Sequence, residues 1–316
     1  MPGQSLLADG IATDGRTATT VTSAGATTDI TTATVSGAHG VNTFSRFGVA
    51  QGTSVNIHVP QGAAGTINIV NGPQSVIDGA LRSVRNGATG GALYFANPNG
   101  VVVGPSGRIN AGSVGLSAPA QAFAEGFVGP DGKPSARHVD QILRGTAPRG
   151  EGGIEVHGEV AAQDRVRLST GGEVIVSGRI TAGERARLMG AAVGTGRVEI
   201  DAGGGITVQG SGRIEGQRGA AGGAVDLRSS GTIRVESGAA LRADGIDAGD
   251  AGSAIVFGGD AAVLERGAVI SASSLGSGDG GFVELSARDT VELAGTLRAA
   301  SAAGQPGRIL IDPVNY

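Results

Sequence analysis

The segment Arg197-Val-Glu-Ile-Asp201 decides the fold, because its apolar-polar-apolar core recurs along the second half of the chain. Such cores begin at residues 166, 198, 225, 255, 283 and 309, at intervals of 32, 27, 30, 28 and 26 residues. Most units carry a second pair of alternating apolar residues soon afterwards, at Val174/Val176, Ile206/Val208, Ile233/Val235, Ala262/Leu264 and Val291/Leu293. A third short apolar segment follows at Ile180, Ile214, Leu241, Val269 and Leu297. Each unit of about 28 residues therefore predicts three short strands, a pattern typical of a solenoid.

Stacked coils of a solenoid pair their strands in parallel and bury alternate side chains in a narrow core, which suits Val, Ile, Leu and Ala. We expect one buried parallel ladder formed by Val198, Val225, Ile255, Val283 and Ile309. The alternative is an antiparallel sandwich or barrel, which would place hairpin turns roughly every 8–12 residues. The even recurrence of three-strand units favours a parallel β-helix.

The composition excludes several classes of protein. Glycine accounts for 59 of the 316 residues and cysteine is absent, so a disulfide scaffold and a cysteine-based metal or nucleophile site are excluded. The glycines follow no strict third-position period, which excludes collagen. No apolar stretch reaches the roughly 18 residues that a membrane-spanning helix needs. The formal net charge of −4 gives no basic surface for nucleic acid.

The two ends of the chain bear on its location. Residues 1–10 have neither the basic start nor the apolar core of a signal peptide. This fits a cytoplasmic protein or a mature secreted chain with an added initiator Met, and the absence of cysteine favours secretion. Residues 309–316 begin a fresh strand with no polar cap, so we expect the N-terminal part of a longer β-helix.

The repeat pattern breaks between residues 120 and 149, where Pro119, Pro130, Pro134 and Pro148 indicate loop. Within this stretch, residues 135–143 fit a short helix with Ser135 as N-cap and Gly145 as its stop. Such a helix would present one apolar face, formed by Val139, Ile142 and Leu143. The alternative is an irregular surface loop.

Three motifs stand out in the first half of the chain. They are Asn42-Thr-Phe-Ser-Arg-Phe47, then Asn71-Gly-Pro-Gln-Ser-Val-Ile-Asp-Gly79, and a third that contains Phe95-Ala-Asn-Pro-Asn-Gly-Val101. Asn97-Pro98-Asn99-Gly100 has the residue preferences of a type I turn, with Asn first, Pro second and Gly fourth. We expect this turn to join two apolar strands, and on turn chemistry alone it is a structural corner.

Together these motifs resemble the N-terminal secretion domain of two-partner secretion exoproteins, the filamentous-haemagglutinin-type "haemagglutination activity" domain. The resemblance covers about residues 7–119, and residues 307–313 are similar to a short sequence that is common in the repeat regions of such exoproteins. The motif positions are Asn42, Phe44, Phe47, Asn71, Gly72, Ser75, Asp78, Gly79, Asn97, Pro98, Asn99 and Gly100. A separate N-P-N-L motif of some members is not reproduced, since that region reads Asn68-Ile-Val-Asn-Gly-Pro73.

With the repeat, the resemblance predicts an all-β, right-handed parallel β-helix with three-strand coils. It predicts N-terminal capping strands and a loop or short-helix insertion near residues 120–149. Residues 1–150 would form the secretion domain with its cap, and residues 151–316 the Gly-rich repeats that continue the same solenoid. The resemblance implies recognition by periplasmic POTRA-type modules of a cognate outer-membrane transporter, export to the cell surface or medium, and folding outside the cell.

The parent protein is expected to be an adhesin, whose missing C-terminal part would bind polysaccharide or host-cell receptors. The alternatives are a contact-dependent toxin or a cytolysin that uses the same route. An enzyme acting on polysaccharide is disfavoured, because such sites need clustered acids and bases and the acids here are dispersed. We expect no catalytic residues, no cofactor and no nucleic-acid partner.

Metal binding is also disfavoured. The four histidines, at 39, 58, 138 and 157, lack metal-ligand spacing, and His58 is expected to face solvent from a strand. Asp244, Asp247 and Asp250 form a D-x-x-D-x-x-D loop that offers oxygen ligands to Ca²⁺. A solvated corner loop is the simpler interpretation, so we expect no metal site.

Overall fold

The computed structural model describes residues 10–183, 196–218 and 220–313. The first residues of the expected resemblance, 7–9, and the end of the chain, 314–316, lie outside them. The strands of the first half are β1 (Ile11–Thr13), β2 (Thr19–Ala24), β3 (Thr27–Thr32), β4 (Val35–Ser36), β5 (His39–Phe47), β6 (Ser54–His58), β7 (Gly65–Val70), β8 (Ser75–Ile77), β9 (Ala80–Arg85), β10 (Ala88–Thr89), β11 (Ala92–Ala96), β12 (Val101–Val103), β13 (Arg108–Ala111) and β14 (Ser113–Ala118). Two helices follow, α1 (Gln121–Glu125) and α2 (Ala136–Arg144).

The second half continues with strands alone among the described residues. They are β15 (Ile154–Val156), β16 (Glu159–Ala162), β17 (Arg165–Thr170), β18 (Glu173–Val176), β19 (Arg179–Ala182), β20 (Arg197–Ala202), β21 (Gly205–Val208), β22 (Arg213–Arg218), β23 (Ala221–Gly222), β24 (Ala224–Ser229), β25 (Thr232–Val235), β26 (Ala240–Arg242), β27 (Ser253–Gly258), β28 (Ala261–Leu264), β29 (Val269–Ser271), β30 (Phe282–Ala287), β31 (Thr290–Leu293), β32 (Thr296–Arg298) and β33 (Arg308–Pro313).

The strands form three long sheets, and most coils contribute one strand to each sheet in turn. The first sheet has the order β1-β5-β7-β11-β14-β17-β20-β24-β27-β30-β33, with β4 on β5. The second has the order β2-β3-β6-β9-β13-β16-β19-β22-β26-β29-β32, with β10 on β9 and β23 on β22. The third has the order β31-β28-β25-β21-β18-β15-β12-β8.

Pairing between successive coils is parallel, as in β17–β20 and β20–β24. At the N-terminal end, β1 pairs with β5 and β2 with β3 in antiparallel fashion, so these strands cap the first coil. This confirms the predicted all-β parallel β-helix with N-terminal capping strands.

The register of the first sheet corrects one rung of the predicted ladder. Val198 pairs with Val225 as expected, but Val225 then pairs with Ala254, and Ala254 with Val283. Ala254 is fully buried, whereas Ile255 lies on the outer face. The expectation for Ile255 was therefore wrong by one residue, because the pattern was matched on β-branched residues and a one-residue slip moves a side chain to the other face.

Two further positions differ from the expected core. In the second sheet, Ile270 and not Val269 pairs with Leu241 and Leu297, and Ile270 is fully buried. In the last described coil, Ile309 pairs with Val283 as expected, but 47% of its surface is exposed. No described coil follows β33, so Ile309 packs against the preceding coil alone.

The insertion at residues 120–149 contains the predicted helix and one that was not predicted. Ser135 caps α2 by accepting from the His138 amide, and Gly145 ends it with a φ of +70°. The unpredicted α1 is a short helix without a side-chain cap. Both helices cover the outer face of the first sheet, where they form a second apolar cluster with it: Val41, Ile67, Ile69, Ala96, Phe123, Ala124, Phe127, Val128, Val139 and Ile142. Strand β7 is consequently buried on both faces.

No helix within the described ranges is long and apolar enough to cross a membrane.

Candidate functional site

Asn97–Gly100 form the turn between β11 and β12. The Gly100 amide donates to the Asn97 carbonyl over 3.0 Å, which is the bond that closes a four-residue β-turn. A type II turn would need a positive φ at its third residue, and Asn99 has none. The geometry therefore agrees with the predicted type I turn.

The Asn97 side chain is fully buried and joins this turn to the preceding coil. Its Nδ2 donates to the Pro73 carbonyl at 2.8 Å and to Ser75 Oγ at 2.9 Å. Its Oδ1 accepts from the Asn99 amide at 2.9 Å. Because both amide protons and the oxygen are used, the corner needs a carboxamide, and Ala, Ser or Asp would each lose at least one of these bonds.

Asn99 and Gly100 complete the contacts of this corner. Asn99 is exposed, and its Nδ2 donates to the Gly72 carbonyl at 2.8 Å. Gly100 has a φ of +97°, and a Cβ there would lie 2.5 Å from the Gly153 carbonyl oxygen of the next coil. The turn is thus held between the corners at residues 72–75 and 152–153.

The motif that begins at Asn42 lies inside the first coils. Phe44 and Phe47 are buried, with ring centroids 5.0 Å apart, and Phe47 meets Phe95 edge-to-face at 4.9 Å. Asn42 Nδ2 donates to Asn68 Oδ1 at 2.9 Å across adjacent coils. The motif therefore supplies an aromatic stack and an amide contact within the core.

The motif of residues 71–79 forms the corner that receives Asn97. The Asn71 amide donates to the Phe44 carbonyl, while its side-chain oxygen and nitrogen are buried without hydrogen-bond partners in the part of the chain that the structure describes. Positions 72 and 79 require glycine, because a Cβ at either would lie less than 2.5 Å from a neighbouring carbonyl oxygen. The Asp78 amide donates to the Val49 carbonyl, and its own carbonyl accepts from Ser106 Oγ at 2.9 Å.

The structure thus brings the second and third motifs into one corner and places the first motif in the adjacent core. Sequence reasoning missed the backbone groups around the turn: the Pro73 and Gly72 carbonyls, which accept from Asn97 and Asn99, and the Gly153 carbonyl, which lies against Gly100. None of them carries a side-chain signal, because a carbonyl acceptor is common to every residue.

The candidate metal ligands do not converge. No group of three or more His, Asp or Glu suited to a metal ion occurs within residues 10–183, 196–218 and 220–313. Asp244 Oδ1 accepts from the Ser273 amide and Asp250 Oδ1 from the Asp279 amide, both at 2.8 Å, so these carboxylates bind backbone of the next coil. His58 lies partly in solvent and contacts Asp29 at 2.7 Å.

Comparison with known proteins adds the following. The family model described as the TPS secretion domain matches residues 9–246. The crystal structure of the filamentous hemagglutinin secretion domain aligns with a TM-score of 0.46 at 16% identity, over 96% of this chain and 99% of that one. The HMW1 secretion domain from Haemophilus influenzae aligns with a TM-score of 0.32 at 16% identity, over 92% and 98%. A search of curated proteins gives no match. Because the family model covers most of its length, this chain belongs to the family of TPS secretion domains.

Proposed function

We propose that this TPS domain of a two-partner secretion exoprotein is recognised by a cognate outer-membrane transporter before it folds, and that the corner at Asn97–Gly100 then starts the β-helix outside the cell. Membership of the family supports the export route. The periplasmic POTRA-type modules of that transporter are the proposed partner, and the cell surface or medium is the proposed destination. The role is one of targeting, without a catalytic residue or cofactor.

The burial of the turn is the observation that carries the folding role. Asn97, Pro98 and Gly100 are buried, and Asn99 is the exposed member of the four. In the folded domain the Asn97 side chain is not available to a partner, so its contacts there favour a role in fixing the fold. Contacts to the corners on either side mean that this turn forms together with two neighbouring coils.

Folding outside the cell also supplies a driving force for export. The coil from residue 197 to residue 223 buries apolar side chains that cost free energy while they remain in water. The buried members are Val198, Ile200, Ala202, Ile206, Val208 and Ile214. Each coil that folds on the outside thereby opposes return of the chain through the transporter.

A secretion assay tests this proposal in cells that carry the cognate transporter. We expect Asn97→Ala to reduce the extracellular yield strongly and Asn99→Ala to reduce it less. Asn86→Gly is the matched control, because Asn86 is an exposed turn asparagine with a φ of +53°, which glycine also adopts. Normal yield from Asn97→Ala would contradict the proposal.

A binding measurement separates folding from recognition. The unfolded wild type and Asn97→Ala chains are each added to the isolated periplasmic modules. Equal affinities together with reduced secretion would support a folding role. A loss of affinity in the unfolded variant would instead make Asn97 part of the recognised sequence, and the folding role would be wrong.

We also propose that residues 1–150 carry the secretion address and that residues 151–316 continue the solenoid. All twelve motif positions precede Gly150, and the β14–β17 and β12–β15 pairings run across this boundary. Deletion of one coil, residues 197–223, is expected to leave export intact. Loss of export would mean that the address extends beyond residue 150.

For the parent protein, we propose an adhesin whose other regions bind polysaccharide or host-cell receptors; this rests on the family resemblance. The test compares attachment of cells that express the full-length protein with attachment of cells that lack it. Unchanged attachment with killing of neighbouring cells would favour a contact-dependent toxin. Unchanged attachment with lysis of host cells would favour a cytolysin.

A further inference from the structure

A cleft of about 220 Å³ lies outside the β-helix, between the outer face of the first sheet and the end of α2. Its floor is the outer face of β14, and Leu143, Ala147 and Pro119 form an apolar wall on the side of the insertion. Arg149, Arg165 and Arg167 also line the cleft. None of residues 97–100 lines the cleft, and the cleft has no part in the function proposed above.

The sequence of β14 leaves space for this cleft. Its outward positions carry small residues, Ser113, Gly115 and Ser117, while Gly115 is paired on one side with Tyr94 and on the other with Arg167. A Cβ at position 115 would lie 2.7 Å from Cδ1 of Tyr94. The floor therefore carries small side chains with hydroxyl groups, and it lies between the aromatic side chain of Tyr94 and the cationic side chain of Arg167.

Two of the three arginines are paired with acidic residues of β20, which lies further along the solenoid. Nη2 of Arg167 lies 2.7 Å from Glu199, and Arg149 is paired with Asp201. Such pairs hold the guanidinium groups in place beside the cleft. The one acidic lining residue, Asp164, accepts from Ser113 Oγ at 3.3 Å.

Arg165 differs from the other two arginines. Its Nε is buried and has no hydrogen-bond partner among the described residues. A guanidinium keeps its charge at every physiological pH, and a buried donor without an acceptor is costly. An anionic oxygen in the cleft would provide that acceptor.

Tyr94 adds a hydroxyl donor beside the arginines. Burial raises the pKa of Tyr94, although the nearby Arg167 and Arg165 partly offset this effect. The hydroxyl therefore stays protonated at neutral pH and can donate to a bound oxygen.

We propose that this cleft binds a small oxyanion, a carboxylate or a phosphate carried on a molecule of about the size of one sugar or amino acid. Arginine binds both groups through paired hydrogen bonds, and the serine hydroxyls and Tyr94 can bind further oxygens of the ligand. The apolar wall at Leu143 and Ala147 suits the carbon skeleton that carries the charge. The volume excludes a longer chain from lying wholly inside.

Titration calorimetry with the whole chain and three probes tests the proposal. Glucuronate offers a carboxylate, glucose 6-phosphate a phosphate, and glucose the same ring without charge. We expect saturable binding of at least one charged probe and none of glucose. The preferred charged probe identifies which of the two groups the cleft takes. Absence of saturable binding for both charged probes would overturn the proposal.

Two variants locate the binding site. Arg165→Gln should weaken binding about tenfold or more, since a hydrogen bond to a charged group is lost. Arg228→Gln is the matched control, because Arg228 also faces outward from the first sheet, pairs with Asp226 and lies outside the cleft. Ser117→Leu should fill the floor and abolish binding while the circular dichroism spectrum stays unchanged. Equal affinity in Arg165→Gln and wild type would overturn the assignment.

Discussion

Asn97 and Asn99 lie two residues apart in one turn but in opposite environments. The Asn97 amide is buried and saturated by protein groups, whereas the exposed Asn99 amide has a single bond to the Gly72 carbonyl, in reach of water. At the scale of the residue, the same side-chain chemistry therefore has different energetic weight, because water can replace only the exposed bond.

Replacing Asn97 by Ala would leave the Pro73 carbonyl and the Ser75 hydroxyl without their buried donor. Unpaired buried polar groups cost about 1–3 kcal/mol each, so we expect Asn97→Ala to lower the free energy of unfolding by about 2 kcal/mol or more. Asn99→Ala should cost less than about 1 kcal/mol. Urea unfolding of both purified variants measures the difference, and equal losses would show that burial does not decide the effect.

Asp14 links the N-terminal cap to pH. Burial raises the pKa of Asp14, but hydrogen bonds from Thr43, at 2.5 Å, and from Arg16, at 2.8 Å, outweigh it and hold the pKa below its ordinary value. As the pH falls, the unfolded chain takes up this proton first. The contribution of Asp14 is therefore fully present above about pH 4 and is lost as the pH falls through the lower, folded pKa.

Asp14→Asn should remove this part of the acid dependence of unfolding. We expect its stability to fall less than that of wild type between about pH 5 and about pH 2. Asp131→Asn changes the net charge equally at an exposed position of the insertion and is the control. Parallel pH profiles for Asp14→Asn and wild type would refute the assignment of this acid sensitivity to Asp14.

The type I turn at residues 97–100 was predictable because Asn, Pro and Gly have strong local preferences within four residues. The partners of Asn97 were not predictable, since Ser75 and Pro73 lie 22 and 24 residues away and meet it only when the coils stack. Local chemistry therefore gave the shape of the corner but not its buried environment.

At the scale of elements, the insertion shows which signals can be read from sequence. Helix α2 was predictable because Ser135 and Gly145 mark its two ends, whereas α1 has no side-chain cap and the prolines on either side of it indicate loop. That both helices cover β7 could not be foreseen. Ile67 and Ile69 alternate with polar residues as in a strand with one solvated face, yet both are fully buried.

Phe127 is fully buried between the insertion and the outer face of the first sheet. Phe127→Ala should cost about 3–5 kcal/mol of local stability, because a large buried side chain is removed. We expect faster amide hydrogen exchange throughout residues 120–149 and unchanged exchange in β24 and β27. Lys133→Ala, at an exposed position of the same insertion, is the control. Uniform acceleration along the chain would contradict independent docking of the insertion.

At the scale of the whole molecule, stability is expected to be distributed coil by coil, because each coil pairs with its two neighbours. The period of about 28 residues was enough to predict this architecture. It was not enough to fix every register, since small residues such as Ala254 occupy core positions that composition alone assigns to Ile or Val. Pairing across coils, and not side-chain size, decided the face of Ile255.

The register makes a paired prediction for adjacent residues. Val256 is fully buried, so Val256→Lys would place a charge in the core without a partner and should destabilise its coil by several kcal/mol, on the order of the cost of an unpaired buried polar group. Ile255 lies on the outer face between Asp226 and Glu284, so Ile255→Lys gains two acidic neighbours and should leave stability within about 0.5 kcal/mol.

Hydrogen exchange measures this pair of variants coil by coil. In Val256→Lys, protection should fall in β24, β27 and β30 and remain at the wild-type level in β6 and β7, because contacts in a solenoid join near neighbours only. Protection in Ile255→Lys should match wild type everywhere. A greater loss of protection in Ile255→Lys than in Val256→Lys would mean that Ile255 faces the core, as the sequence alignment predicted. If Val256→Lys lowered protection in β7 as much as in β27, the β-helix would unfold as one cooperative unit.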